Sequence, residues 1–222
     1  MNKLRTNYSP IHCRTHYSLL NGILSPEEIC RHSIRMGAGS VGISDINNFH
    51  GLIKFASTAK EMGLKALYGT AIHVGGVHLF SLLCLDRIGF ARANRIISSL
   101  LDKDDLCYDP VSDLVSGGWD GLMLVSPDKT VLTRLGKRQK ENLFAGLFYG
   151  RPFADLYRWA VDADISVMAL NDAVYLKEDD NLLFRILRSM DLNTRLDRLS
   201  PDTALTRDLE FASVSQMESF FS

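Results

Sequence analysis

His12-Cys-Arg-Thr-His-Tyr-Ser-Leu-Leu-Asn-Gly22 packs two histidines, an arginine and a turn into one short stretch. Side chains of an extended strand alternate, so His12 and Arg14 share a face. A His-x-His pair at this spacing would be half of a metal site. Arg14 stands in the second place, and a guanidinium keeps its charge and has no lone pair to offer a metal. The stretch looks like the inner edge of an active site whose chemistry has changed.

The chain around it has 222 residues, enough for one domain with a substantial core. Its 25 basic and 26 acidic residues leave a net charge of -1, which argues against a uniformly basic nucleic-acid surface. DNA contact is therefore expected to be local or indirect. Cys13, Cys30, Cys84 and Cys107 form no close CxxC pair and read as reduced thiols of a cytoplasmic protein. The polar start, Met-Asn-Lys-Leu-Arg-Thr-Asn-Tyr8, lacks the apolar run of a leader, and no stretch has the length of a membrane span, so no membrane contact is expected.

Outward from the opening stretch, helices and strands alternate. Ser25-Pro26-Glu27-Glu28 is a helix start, with Ser as N-cap and Pro in the first turn, and that helix is expected to run to about Met36. A buried strand over 40–44 delivers Asp45 to a turn at Asn47 and Asn48, and a helix begins near His50 and closes at Gly63. Strands follow over 65–74 and 77–85, joined by Gly75-Gly76 in the manner of a hairpin. Further helices are expected over 87–101, 110–115, 128–135, 152–163 and 178–190, with strands over 121–125, 143–148 and 165–170, and a last helix over 215–221. This alternation predicts a mostly parallel sheet, and about seven repeats suggest closure into a barrel. Functional residues of such barrels sit where strands end; here those places hold His12, Arg14, Asp45, Ala71 or His73, His78 and Asn171-Asp172.

Three separated stretches resemble one family: His12 to Gly22, then Gly42-Ile-Ser-Asp-Ile-Asn-Asn-Phe-His-Gly51, then Leu170-Asn-Asp-Ala-Val-Tyr-Leu-Lys-Glu-Asp179. The family is the polymerase-and-histidinol-phosphatase (PHP) domain, in the version at the N-terminus of bacterial DNA polymerase III alpha subunits. Lys65-Ala-Leu-Tyr-Gly69 and His78-Leu-Phe-Ser-Leu-Leu83 also match, and Phe211-Ala-Ser-Val-Ser-Gln-Met-Glu-Ser-Phe-Phe221 is similar to the segment that joins this domain to the polymerase palm. The likeness is weakest over 102–163. It implies an α/β fold, a distorted (β/α)7 TIM-like barrel over 1–195, followed by a linker-like segment over 196–222. Active members hold divalent metals in a ring of histidines and carboxylates and hydrolyse phosphoesters, with metal-bound hydroxide as the nucleophile.

The resemblance places nine residues on that ring. His12 matches the first histidine, but the second is Arg14, and Asn21 stands for an aspartate. Asp45 matches, whereas the histidine after it is Ile46. Ala71 replaces the metal-binding glutamate, His78 is kept, Asp172 is kept, and the histidine two residues on is Val174. His12, His78 and Asp172 are the strong ligands left, against the four to six that a divalent ion takes. Apolar walls at Ile46, Ala71 and Val174 disfavour a bound cation, and Arg14 is expected to put its guanidinium in the metal's place and pair with Asp45 or Asp172.

The resemblance thus implies a degenerate, catalytically inactive PHP domain of a DNA polymerase III alpha-type protein, without a resident cofactor. It would support a polymerase core in the same or another chain and dock a proofreading exonuclease. The alternative is a metal-dependent phosphoesterase or 3'-5' exonuclease using Zn2+, Mn2+ or Mg2+ at a reduced site of His12, His78 and Asp172, with Asn21 and Asp45 helping. Blander readings stand beside these. His12 and His78 can be core histidines, and Asp172 a turn carboxylate. His16, His32, His50 and His73 match no ligand position and read as surface or packing residues.

Overall fold

The computed structural model describes residues 8–102, 107–199 and 209–222. The charged run at 103–105, Ser200-Pro201 and Asp208, which the sequence reading places in loops, lie outside these residues. One sheet holds six strands in chain order: β1 (Ser40–Ile46), β2 (Lys65–Val74), β3 (Val77–Cys84), β4 (Leu122–Ser126), β5 (Leu143–Phe148) and β6 (Ser166–Leu170). It curls into a half-barrel. The helices are α1 (Pro26–Arg35), α2 (Leu52–Glu61), α3 (Arg87–Leu101), α4 (Pro110–Gly117), α5 (Lys129–Gly136), α6 (Ala154–Asp162), α7 (Asn181–Asp191) and α8 (Val214–Phe221).

The sheet is mostly parallel, as the alternation predicts, with β3 alone reversed. β1–β2, β4–β5 and β5–β6 run parallel, but β2–β3 and β3–β4 are antiparallel. The first reversal is the Gly75-Gly76 hairpin, whose φ values of 57° and 80° lie in the left-handed region such two-residue turns require. The second follows from the connection between β3 and β4, which holds two helices, α3 and α4, instead of one. A single crossover helix returns the chain to its starting end; a second reverses it again.

Between the two edges of the sheet lies the opening stretch. Cys13 bridges Ile43 of β1 on one side and Ala173 on the other. Ser44 donates its N–H to the Cys13 carbonyl and Arg14 its N–H to the Ala173 carbonyl, both at 2.8 Å. The C-terminal segment is stitched alongside: Asn171 donates to the Glu210 carbonyl and accepts from the Ala212 N–H, each at 2.9 Å, and Tyr175 bridges Glu210.

Local signals explain most helix starts. Ser25 and Glu28 form the reciprocal capping box, and Ser213 with Gln216 repeats it at α8. Asp86, Asp109 and Asp128 cap α3, α4 and α5 with their carboxylates. The larger core, around Phe80, Leu82, Ile96, Trp119 and Leu132, fills the space between β2–β5 and helices α3 to α6. A second core, around Ile29, Val41, Ile43 and Phe55, lies under α1 and α2 and takes in Phe211. Phe220 packs on Tyr149 and Phe153. Among the described residues no helix is long and apolar enough to cross a membrane.

Candidate functional site

His12 and Arg14 are both buried, and both reach Asp172, as a shared strand face requires. Arg14 Nη2 donates to the two oxygens of Asp172 at 2.8 and 2.7 Å, while its Nη1 donates to the Asn21 carbonyl at 3.2 Å. His12 Nδ1 lies 3.3 Å from the same carboxylate without the alignment of a hydrogen bond. Arg151 adds a third neighbour, its Nη2 at 3.3 Å from Asp172 Oδ2 and its Cζ 4.9 Å over the Phe148 ring. Burial alone would raise the Asp172 carboxyl, but Arg14, then His12 and Arg151, hold it well below the usual carboxylate range.

Ser81 organises the other side. Its hydroxyl meets His12 Nε2 at 2.7 Å and His78 Nε2 at 2.9 Å, so one small side chain links two of the candidate ligands. Cross-strand register explains its position: Ile46 pairs with Ala71, Ala71 with Ser81 and Ser81 with Val125, in one row across four strands. Two of the three apolar replacements therefore sit level with the histidine-bridging serine. Val174, the third, packs with Tyr175, Phe184 and Leu209.

Asp45 has been drawn into the turn. It lies within β1 instead of the loop after it, and accepts from the Thr15 N–H at 2.8 Å, the Thr15 hydroxyl at 2.7 Å and the Ser18 hydroxyl at 2.7 Å. Of the two carboxylates expected to answer Arg14, Asp172 is the one that does. Asn21 faces α7, where its Oδ1 accepts from Arg188 at 2.6 Å.

Four contributors were left without a settled site role by the sequence reading. Ser81 lies in the family-like stretch 78–83 but was not singled out, and Arg151 carried no motif. His73, named beside Ala71 as a strand-end candidate and otherwise read as surface or packing, does pack: it stacks on His78 at 5.1 Å, and burial, with Arg14 next, pushes its imidazole down to about 4. Its signal was available: it follows Ala71 by two on one strand. Burial, then His12 and His73, also holds His78 well below the ordinary histidine value. Arg188, the fourth, lines the cleft of about 370 Å³ beside Asp172, together with Arg14 and Arg151. The remaining histidines are peripheral: His16 and His50 are exposed and His32 packs on Phe211.

A metal ring fits these residues poorly. The Nε2 atoms of His12 and His78 both point at the Ser81 hydroxyl, Asp172 is paired with Arg14, and Asp45 is saturated by the turn. Among the described residues no group of three or more His, Cys, Asp or Glu side chains could hold a metal ion.

The curled α/β half-barrel is similar in fold to PHP phosphoesterases. A solved structure assigned as a metal-dependent phosphoesterase from Bifidobacterium adolescentis is similar in fold, with a TM-score of 0.51 at 15% identity over 74% of this chain and 86% of that one. The PHP domain profile matches residues 10–150, and the chain belongs to the PHP domain family. Its relatives include the DNA polymerase III alpha subunit of Buchnera aphidicola, 25% identical over 84% of this chain, and the error-prone DNA polymerase of Nocardia farcinica, 32% identical over 31% of it. The chain spans 19% and 6% of the lengths of these two polymerases.

Proposed function

We propose that this PHP domain has exchanged its metals for an internal ion pair and acts as a structural, partner-docking module beside a DNA polymerase core, in the same or another chain. The Arg14–Asp172 pair carries the reading. A permanent cation bound to both oxygens of the retained aspartate supplies the charge a metal would, without a bound hydroxide to attack phosphorus. The opening stretch would serve as a reduced seventh strand closing the barrel. The names of the polymerase relatives support the setting in DNA replication. An exposed apolar face on α7, with Leu182, Leu183 and Met190 each more than half exposed, supports docking, for which a proofreading exonuclease is one candidate partner.

The test is metal content of protein purified without chelator from medium supplemented with zinc and manganese, together with p-nitrophenyl phosphate hydrolysis. Substoichiometric metal and no turnover are expected. Bound metal, with turnover lost in His12→Ala or Asp172→Ala, would overturn the reading in favour of a reduced phosphoesterase site.

A further inference from the structure

β6 ends the sheet, and its outer edge is open. Leu170 lies opposite Phe148 and accepts from the Tyr149 N–H at 2.7 Å, so its backbone groups turn to β5. The polar groups of a strand alternate between its two edges with a period of two. Ser166 and Met168 therefore also face β5, while the N–H and C=O groups of Val167 and Ala169 point away from the sheet. Among the described residues these outward groups have no partner, because the opening stretch meets this side at Ala173, beyond the end of β6.

β6 also lacks what usually guards such an edge. Ser166-Val-Met-Ala-Leu170 has no charge and no proline, and its register with β5 is unbroken. Ser166, Val167 and Ala169 are exposed, and α6, which packs over β5 and β6, leaves Tyr157 and Val161 exposed one turn apart. The same helix carries the exposed Arg158 and Asp162, one turn apart and opposite in sign, and among the described residues neither has an ion-pair partner. An uncharged strand beside charges of both signs suits a copy of itself better than a strongly acidic or basic partner.

We propose that the open edge of β6 is a two-fold interface between copies of this chain. The two β6 strands run antiparallel about an axis beside Met168, so that Val167 of each copy lies opposite Ala169 of the other. Hydrogen-bonded pairs then fall where the outward groups stand: each Val167–Ala169 pair exchanges two N–H···O bonds, and Met168 faces Met168 in the closer, non-hydrogen-bonded position. A slip of one residue would set these groups against backbone already turned to β5.

The experiment is sedimentation velocity of the full chain from micromolar to near-millimolar concentration. A dimer that dissociates on dilution is expected. Ala169→Pro removes only an N–H that points outward, so the bonds to β5 survive while half of the interchain bonds go, and the dimer should weaken at least about tenfold. Val167→Lys brings like charges near the axis and should act in the same direction, which keeps the test open if the proline variant fails to fold; thermal melts decide that. The register is read separately in a Cys107→Ser background, since Cys107 is an exposed thiol. There Met168→Cys should oxidise to an interchain disulfide, because non-hydrogen-bonded pairs hold their Cα atoms about 4.5 Å apart, whereas Ser166→Cys should not. A chain that stays monomeric throughout the range, a dimer that either folded edge variant leaves at wild-type affinity, or a disulfide from Ser166→Cys in preference to Met168→Cys overturns the proposal.

Discussion

Replacing Arg14 by Met removes the cation from a carboxylate that keeps only 8% of its side chain exposed. Breaking a buried pair from one side costs about 3–5 kcal/mol. Arg151, at 3.3 Å, still faces Asp172, so a loss near the lower end, about 3 kcal/mol, is expected. For a chain of this size that lowers the Tm by roughly 6–12 °C. A second substitution, Asp172→Asn, removes the stranded charge and should recover most of the loss. The dependence on pH has a definite sign. The folded carboxyl lies below its unfolded value of about 3.9, so the pair's contribution is present above that pH and lost as pH falls through the folded value. Denaturant melts of wild type and Arg14→Met should therefore differ by a constant amount from neutral pH down to about 5 and converge in stronger acid. An Arg14→Met variant as stable as wild type at neutral pH, or a double variant weaker than the single, would refute the assignment of Asp172's charge to Arg14.

Other substitutions probe the rest of the site. Ser81→Ala strands ring nitrogens of His12 and His78 and should cost about 1–3 kcal/mol, with both imidazole NMR spectra shifting; unchanged spectra would exclude the bridge. Because His73 titrates near 4 when folded and near 6.5 when unfolded, the unfolded chain binds the extra proton between these values, and stability should fall as pH drops through that window, by about 1–3 kcal/mol. An equally steep fall in His73→Gln would assign that loss elsewhere. At Gly22 a Cβ would come 2.0 Å from the Thr15 carbonyl oxygen, so Gly22→Ala should destabilise by at least about 2 kcal/mol in urea melts. Rebuilding the ring with Arg14→His, Ile46→His, Ala71→Glu and Val174→His should restore metal binding measurable by elemental analysis, and a folded variant that stays metal-free would show that the loss lies deeper than these four positions.

The sequence revealed those features whose physics is local or unavoidable. Ser25 to Glu28 starts a helix because the cap donors and acceptors lie within one turn, and Gly75-Gly76 reverses the chain because both residues tolerate positive φ. Arg14's need for a carboxylate was equally legible, since a permanent charge at a buried edge must be answered. Which carboxylate answers it was not, because Asp45's three partners come from Thr15 and Ser18, whose hydroxyls give no signal of their own in a polar turn. Ser81 sits in an apolar strand and gains its role only from register with Ala71. The antiparallel pairing of β3 with β4 was hidden because one intervening helix and two leave the same alternation in the sequence.

Residues 158 positions apart form the Arg14–Asp172 pair. A ribosome adding roughly 5–20 residues per second thus presents Arg14 and the adjoining edge of β1 about 8–30 s before Asp172 and Ala173 emerge to meet them. For that interval the N-terminal edge has neither its ladder partner nor its counter-charge. The cation that stands at the centre of the finished site is, during synthesis, a positive group on an unpaired edge, of the kind that discourages a neighbouring nascent chain from adding its own strand there.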